Sequence, residues 1–389
     1  MDKAPCRILH VVYSLDPGGM ENGVVNMAGS LDPERFQIDV CCLERAGAFA
    51  GRLPAASRLS VLGKDPGFSW KTCRSLRREI QRIKPHLIHS HNLGPLIYSA
   101  IATLGGGTVP ILHGEHAELS GEDLIPRRLR QRRWLYHCCR AVHSVSHGLH
   151  EQLTRLKLSP SKLRVVVNGV DAARFSPGNR HQVRGRLGIP EDALVLGIVG
   201  RFGPYKRHRL LIEVFESLAN RHPGLHLMLV GGGGSEERSV NERCKASPHA
   251  SRIWPVGFQD DPRPYYAALD LLVVPSLNEG LSNAVLEAMA CGLPVLAHRA
   301  CGNAEVISAN QDGFLEDLST ADAMESVLRR AIESRRQFQQ IGLAARQKVV
   351  EKFSLQNMAR GYENLYHLST RIPYVRESIP SASNSLSRH

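Results

Sequence analysis

Short apolar runs divide the chain into two successive series. The first comprises Ile8 to Tyr13, Gln37 to Leu43, Leu87 to Ser90, Pro110 to Leu112, Ala141 to Val145 and Leu163 to Val167, separated by helix-length segments of mixed polarity. A second series opens with Leu-Val-Leu-Gly-Ile-Val-Gly at 194–200 and continues at Leu225 to Val230, Ile253 to Val256, Leu271 to Val274 and Pro294 to Ala297. Strands alternating with helices predict parallel sheets covered by helices on both faces, so the expected class is α/β with two doubly wound, Rossmann-like domains. Ligands in such sheets bind beyond the carboxyl ends of the strands, and two facing sheets therefore make an interdomain cleft.

The expected division is 1–180 for the first domain and 181–354 for the second. The first series ends at Val165-Val166-Val167-Asn168-Gly169-Val170-Asp171, where a strand gives way to an Asn-Gly turn and then to Ser176-Pro177-Gly178-Asn179. A last helix, 355–370, carries an apolar face of Met358, Tyr362, Leu365 and Tyr366 and is expected to pack back on the first domain. Residues 371–389 are Ser- and Pro-rich and are expected to be disordered.

Composition narrows the class. At 389 residues the chain is too long for one core, and 42% hydrophobic against 22% charged residues excludes wholesale disorder. Nine cysteines without a C-x-x-C give neither a disulfide framework nor a zinc site, which points to a reducing cytosol. The apolar run near the N-terminus is too short for a signal-peptide core and reads as a first strand. The uncharged stretch from Asn92 to Leu112 has the length of a bilayer span, but Gly105-Gly106-Gly107 cuts it and its halves differ in period. It reads as a buried helix followed by a strand.

The formal charge of +12 is uneven. Residues 1–180 hold 25 Lys and Arg against 15 Asp and Glu, net +10, and the remainder holds 24 against 22, net +2. Two segments concentrate it: Lys71 to Lys84, with Arg74, Arg77, Arg78 and Arg82, and Arg127-Arg128-Leu129-Arg130-Gln131-Arg132-Arg133-Trp134. A basic helix attracts anionic lipid, nucleic acid or acidic substrates through the same Coulomb attraction, and a merely solvated face is the alternative.

The candidate chemistry lies in loops of the second series. Gly200-Arg201-Phe202 ends a strand and Lys206 follows, which puts two permanent cations at the cleft mouth, a pair suited to a diphosphate. The glycines 231–234 end another strand, where backbone can approach phosphate or a base closely, or simply turn. The segment Val274 to Val295 ends a strand at Pro275, presents Glu279 and Gly280 in a loop, and starts a helix near Ser282, whose free amides form an anion site. Glu287 lies eight residues beyond Glu279, so two carboxylates can address one ligand.

With this block in place, nearly the whole chain resembles the family 4 retaining glycosyltransferases of the GT-B fold, the glycosyl transferases group 1. Gly18-Gly19 ahead of a helix, Asn168-Gly169-Val170-Asp171 with Phe175 and Pro177, Gly200-Arg201 with Lys206, the Gly231 loop, Gly257-Phe258 and Cys301-Gly302-Asn303-Ala304-Glu305 stand in that family's order. Gly18-Gly19-Met20-Glu21-Asn22-Gly23 and His113-Gly114-Glu115-His116 resemble a bacterial branch tied to exopolysaccharide and exosortase gene clusters.

The resemblance implies a transferase using a nucleotide sugar, UDP- or GDP-linked, as donor. Arg201 and Lys206 would hold its diphosphate as the leaving group, and Glu279 would contact the sugar hydroxyls with amides of Gly280, Leu281 and Ser282. Glu287 would accept from the ribose, Gly257 and Phe258 would border the base beside Gly231, and Gly18 and Gly19 would close over the phosphates. The family's first-domain histidine falls on His116 or His113, with alignment from Pro110 favouring His116. Retention with a same-face displacement is implied, and no carboxylate reads as a covalent nucleophile of the glycosidase kind. Asp260-Asp261 lacks a metal-site setting after a strand, so no metal and no other cofactor is expected.

The expected acceptor is a glycan or lipid-linked glycan. The protein is expected in the cytoplasm, peripheral on the anionic inner face of the plasma membrane. A GT-B epimerase, a phosphorylase or a non-catalytic nucleotide-sugar-binding protein are the rival readings. No RNA module or helix-turn-helix supports nucleic acid as a partner.

Overall fold

The computed structural model describes residues 4–105, 109–158, 160–277 and 279–370. The expectation for 371–389 lies outside the described residues. The first sheet contains β1 (Cys6–Val12), β2 (Phe36–Cys42), β3 (Leu59–Val61), β4 (Leu87–His91), β5 (Ile111–Glu115), β6 (Ala141–Ser144) and β7 (Leu163–Val165), ordered β3-β2-β1-β4-β5-β6-β7. The second contains β8 (Leu194–Val199), β9 (Leu225–Val230), β10 (Ile253–Gly257), β11 (Leu271–Val274), β12 (Val295–His298) and β13 (Phe314–Glu316), ordered β10-β9-β8-β11-β12-β13. All pairings within the two sheets are parallel. In each sheet the order reverses beside the first strand, at β1/β4 and at β8/β11, which is where such sheets open a ligand crevice.

The central strands are apolar on both faces because helices cover both. Every residue of β9 and β11 is buried. The edge strands β3 and β13 have only three residues each, and Leu59 and Val61 of β3 are exposed. No long apolar run marks them, and the sequence reading passes over both.

The helix Trp70–Ile83 shows how the flanking elements form. Ser69 accepts from the Thr72 N–H at its start, and Lys84 ends it in the left-handed region. Cys73, Leu76, Ile80 and Ile83 recur on one face and are buried, while Arg74, Arg78 and Arg82 face solvent. In the helix Pro126–Cys138 the arginines do not act alike. Arg127, Arg130 and Arg133 are exposed, but Arg132 is buried, donating to Glu115 at 3.2 Å and to Asp123 at 2.7 Å. The basic surface expected from sequence therefore loses Arg132 to an internal ion pair. Trp70 and Trp134 of these two helices, and Phe68 just ahead of the first, are exposed.

The chain crosses between domains twice, and the crossings bond to each other. The Val170 N–H donates to Phe353 at 2.9 Å, and the Leu355 N–H donates to Val170 at 3.0 Å. After the second crossing the helix Leu355–Thr370 lays Met358, Tyr362, Leu365 and Tyr366 against Ile8, Met27, Phe36, Leu87 and Leu112. Glu363 accepts from Arg35 at 3.0 Å on its rim. The last described helix thus completes the core of the first sheet. Among the described residues no helix is long and apolar enough to cross a membrane.

Candidate active site

A cleft of about 580 Å³ opens between the carboxyl ends of the two sheets. Gly18 and Gly19, leading into the helix Gly19–Ser30, line one wall, with His116 just beyond β5. The other wall is made by the loops that follow β8, β9, β10 and β11: Gly200, Arg201 and Lys206, then Gly231 and Gly232, then Phe258, then Glu279, Gly280, Leu281 and Ser282. Glu287, on the helix Asn283–Ala290, lies deeper in the same wall. Sequence-distant residues meet because each loop leaves a parallel strand at the same end.

Two glycines are required by close approach. A Cβ on Gly231, at φ +136°, would stand 2.1 Å from the Gly200 carbonyl oxygen. On Gly280 it would stand 2.3 Å from the His116 carbonyl oxygen of the opposite domain, so the Glu279 loop touches the first-domain wall directly. Gly257 is absent from the cleft lining. It sits one step behind, at φ +74°, its carbonyl accepting from the Gly231 N–H at 2.9 Å while Phe258 reaches the wall. Ser282 takes the N-cap position, but its side chain makes no capping bond.

The charges are partly committed. Lys206 forms an ion pair with Glu279. Among the described residues Arg201 has no ion pair within 4 Å; its guanidinium lies near Gly18 and acts on the Glu21 carboxyl. Burial pushes Glu21 up, and the Arg201 charge is one of the effects opposing that rise. Glu287 is pushed up to about 7 by burial, against the pull of a Tyr266 hydroxyl donating at 2.8 Å and of the Arg52 and Arg174 charges. Glu287 thus passes between its neutral and ionised forms around neutral pH.

The two candidate histidines separate. His113 is fully buried, with Nδ1 3.1 Å from the Ser90 hydroxyl and Nε2 3.4 Å from Glu115. Burial would raise Glu115, but His113, Arg132 and Tyr136 outweigh it and hold that carboxyl at about 2. His116 is the one that reaches the cleft, half-buried and pushed down to about 4 by burial. Of the two adjacent aspartates, Asp260 lines the cleft and Asp261 is paired with Arg263 at 2.7 Å.

Several lining residues escaped the sequence reading. Arg52 ends the short helical turn Ala48–Arg52 and donates to Asn22 and Asn26, a position with no periodic signal. Arg174 stands directly before Phe175 in the hinge segment, where the Asn168-Gly169 motif could have drawn attention to it. Asn283 donates to the Gly19 carbonyl at 2.9 Å, and Asn22 reaches Glu287 at 3.5 Å, so both bridge the domains. Glu305 of the Cys301 to Glu305 motif accepts from the His147 N–H at 2.6 Å, again across the interface.

Two facing doubly wound domains, with glycine-rich and cationic loops at the carboxyl ends of both sheets, define the GT-B architecture. Two families match the chain: Glycosyl transferases group 1 over residues 179–348 and Glycosyltransferase Family 4 over residues 17–174. The chain belongs to the family 4 glycosyltransferases of the GT-B fold. A D-inositol 3-phosphate glycosyltransferase of Saccharomonospora viridis is 36% identical over 176 residues, 42% of this chain and 41% of the relative. That match spans about two fifths of the relative's length. A D-inositol 3-phosphate glycosyltransferase of Geodermatophilus obscurus is 28% identical over 365 residues, 84% of this chain and 80% of the relative. HepE of Anabaena, solved in complex with UDP-glucose, superposes with a TM-score of 0.80 at 21% identity, covering 92% of this chain and 99% of that one.

Proposed function

We propose that the protein is a retaining glycosyltransferase that moves a sugar from a UDP- or GDP-linked donor to a glycan or lipid-linked glycan. The setting we assign is bacterial exopolysaccharide or cell-envelope polysaccharide synthesis at the cytoplasmic face of the plasma membrane. One observation carries the reading: Arg201, Lys206 and the N-termini of two helices from opposite domains converge on one cleft. Departure of a nucleoside diphosphate develops negative charge, and fixed cations and free amides aimed at it lower the barrier. The UDP-glucose bound by HepE supports a nucleotide-sugar donor.

In this reading Arg201 and Lys206 take the diphosphate, and Gly18 and Gly19 close over it. Glu279 holds Lys206 in place and offers its remaining acceptor capacity to the sugar hydroxyls, beside Gly280, Leu281 and Ser282. Glu287 accepts from the ribose, Phe258 borders the base, and His116 faces the sugar. Glu279 is held by its ion pair with Lys206, which suits a same-face displacement assisted by the departing phosphate better than a covalent carboxylate intermediate. No metal is assigned, because the cations already present serve the diphosphate. Exposed Arg127, Arg130 and Arg133, with exposed Trp134 on the same helix, support docking on an anionic membrane.

A thermal-shift panel of nucleotide sugars followed by donor hydrolysis tests the assignment. One donor should raise the unfolding temperature and be slowly hydrolysed. Absence of both effects across UDP- and GDP-sugars would contradict it.

A further inference from the structure

Behind His116 the first sheet carries a row of imidazoles. Residues paired in register on parallel strands share a face. His10 of β1 pairs with His89 of β4, His91 two residues on pairs with Gly114 of β5, and Gly114 pairs with His143 of β6. Gly114 leaves the space they occupy: a Cβ there would stand 2.6 Å from His143 Nε2 and 2.9 Å from His116 Nε2. The helix Leu355–Thr370 closes this face, and Tyr366 reaches its centre. His10, His89, His91, His143, Tyr366 and Met27 are all buried, and the proposed transfer uses none of them.

Their polar atoms form a continuous chain. His116 Nε2 lies 2.8 Å from His91 Nδ1, and His91 Nε2 lies 2.8 Å from His10 Nδ1. His10 Nε2 is 3.2 Å from the Tyr366 hydroxyl, which is also 3.1 Å from His89 Nδ1 and 3.0 Å from Met27 Sδ. His89 Nε2 is 2.9 Å from His143 Nε2. Burial pushes every imidazole down, His116 to about 4, His10 to about 3 and the others well below their ordinary value, so each is neutral with one donor and one acceptor.

Proton counting then orients the chain. A thioether only accepts, so the Met27 contact is made only when Tyr366 donates to it and receives Nε2–H of His10 and Nδ1–H of His89. His10 then accepts at Nδ1 from His91, and His91 accepts at Nδ1 from His116. In this arrangement all six contacts are made. At the far end His89 accepts from His143 Nε2–H, and His143 Nδ1 keeps its lone pair, making no hydrogen bond among the described residues although the Ser144 backbone pulls the ring weakly toward protonation. A bare lone pair is cheaper to bury than an unpaired N–H.

We propose that Met27, Tyr366, His10 and His91 are positioning residues that fix His116 as the tautomer protonated at Nε2, so that Nδ1 meets the cleft as an acceptor for a saccharide hydroxyl. The identity of the hydroxyl rests on the transferase reading; the tautomer does not. His10, His89 and His91 are close enough to surround a cation, but their nitrogens are spent on one another and on Tyr366, His116 and His143. Glu115, the carboxylate that acts on His116, is already paired with Arg132. A buried dication would go uncompensated.

The test uses the full chain labelled with 15N-histidine and free of ligand, with His116→Gln to assign its resonances. Long-range proton–nitrogen spectra should show His116 protonated at Nε2 and unprotonated at Nδ1. His10, His89, His91, His116 and His143 should stay neutral from about pH 5.5 to 8, and elemental analysis should find no stoichiometric metal. Tyr366→Phe removes the oxygen, and Met27→Leu removes the thioether so that the hydroxyl is free to turn to His10 Nε2 or to His89 Nδ1. Either change removes the constraint that fixes the tautomer, so His116 should then carry its proton on Nδ1 in part or in full, and Met27→Leu supplies the readout if Tyr366→Phe does not fold. Protonation at Nδ1 in the wild type, an unmoved proton in a folded variant, or a bound metal would overturn the proposal. A proton that moves as expected in a protein inert toward every nucleotide sugar would instead remove the transferase reading and leave the chain standing.

Discussion

At the scale of single residues, the cleft concentrates its function in charges whose states differ. Glu287 has a folded value of about 7 against an ordinary carboxylate near 4.3, so its shift is upward. The stability it permits is complete below the ordinary value and is lost as pH rises through about 7. Glu287→Gln should therefore gain stability relative to wild type between about pH 5 and 8, by a few kcal/mol, and paired denaturant titrations at those pH values check it. If the side chain accepts from a ribose, the same variant should bind nucleotide more weakly, and the deficit should widen with pH over that window. Gly280→Ala forces a Cβ onto the His116 carbonyl. Overpacking of that kind costs about 1–3 kcal/mol, so its thermal midpoint should fall by several degrees.

At the scale of elements, the helix Pro126–Cys138 divides its arginines between surface and interior. Neutralising Arg127, Arg128, Arg130 and Arg133 should leave the fold intact and abolish sedimentation with anionic vesicles, since each surface cation contributes about 1 kcal/mol near such a membrane. Arg132→Ala should instead lower stability by about 3–5 kcal/mol, because it strands Glu115 in the interior. Equal binding of the fourfold variant to anionic and neutral vesicles is the expected result; unchanged anionic preference would remove the membrane role. The same helix shows what sequence could and could not disclose. Its helicity and charge were legible, but the burial of Arg132 depends on Glu115, 17 positions earlier at the end of a strand. The central strands were legible because both faces are covered, as in Leu225–Val230, whereas Leu59–Val61 and Phe314–Glu316 are too short to stand out from loop. In the cleft, Arg201, Lys206, Glu279 and Glu287 were legible from strand-end spacing. Arg52 was not, nor was the row of histidines, which exists only through the register of four strands.

At the scale of the molecule, the first domain depends on the far end of the chain. Truncation after Phe353 would bare the apolar surface that Met358, Tyr362, Leu365 and Tyr366 cover, so the shortened protein should lose cooperative unfolding and aggregate, as followed by calorimetry and light scattering. The two domains meet through Gly280 at His116, Asn283 at Gly19 and Glu305 at His147, which aligns both walls on one ligand. The most direct test of that shared site is isothermal calorimetry with UDP and GDP on the wild type, Arg201→Ala and Lys206→Ala. A charge-assisted hydrogen bond is worth about 1.5–3 kcal/mol, so each variant should bind the preferred nucleotide at least tenfold more weakly while keeping its unfolding transition. Wild-type affinity in both variants, or no binding of either nucleotide by the wild type, would contradict a nucleotide-sugar site in this cleft.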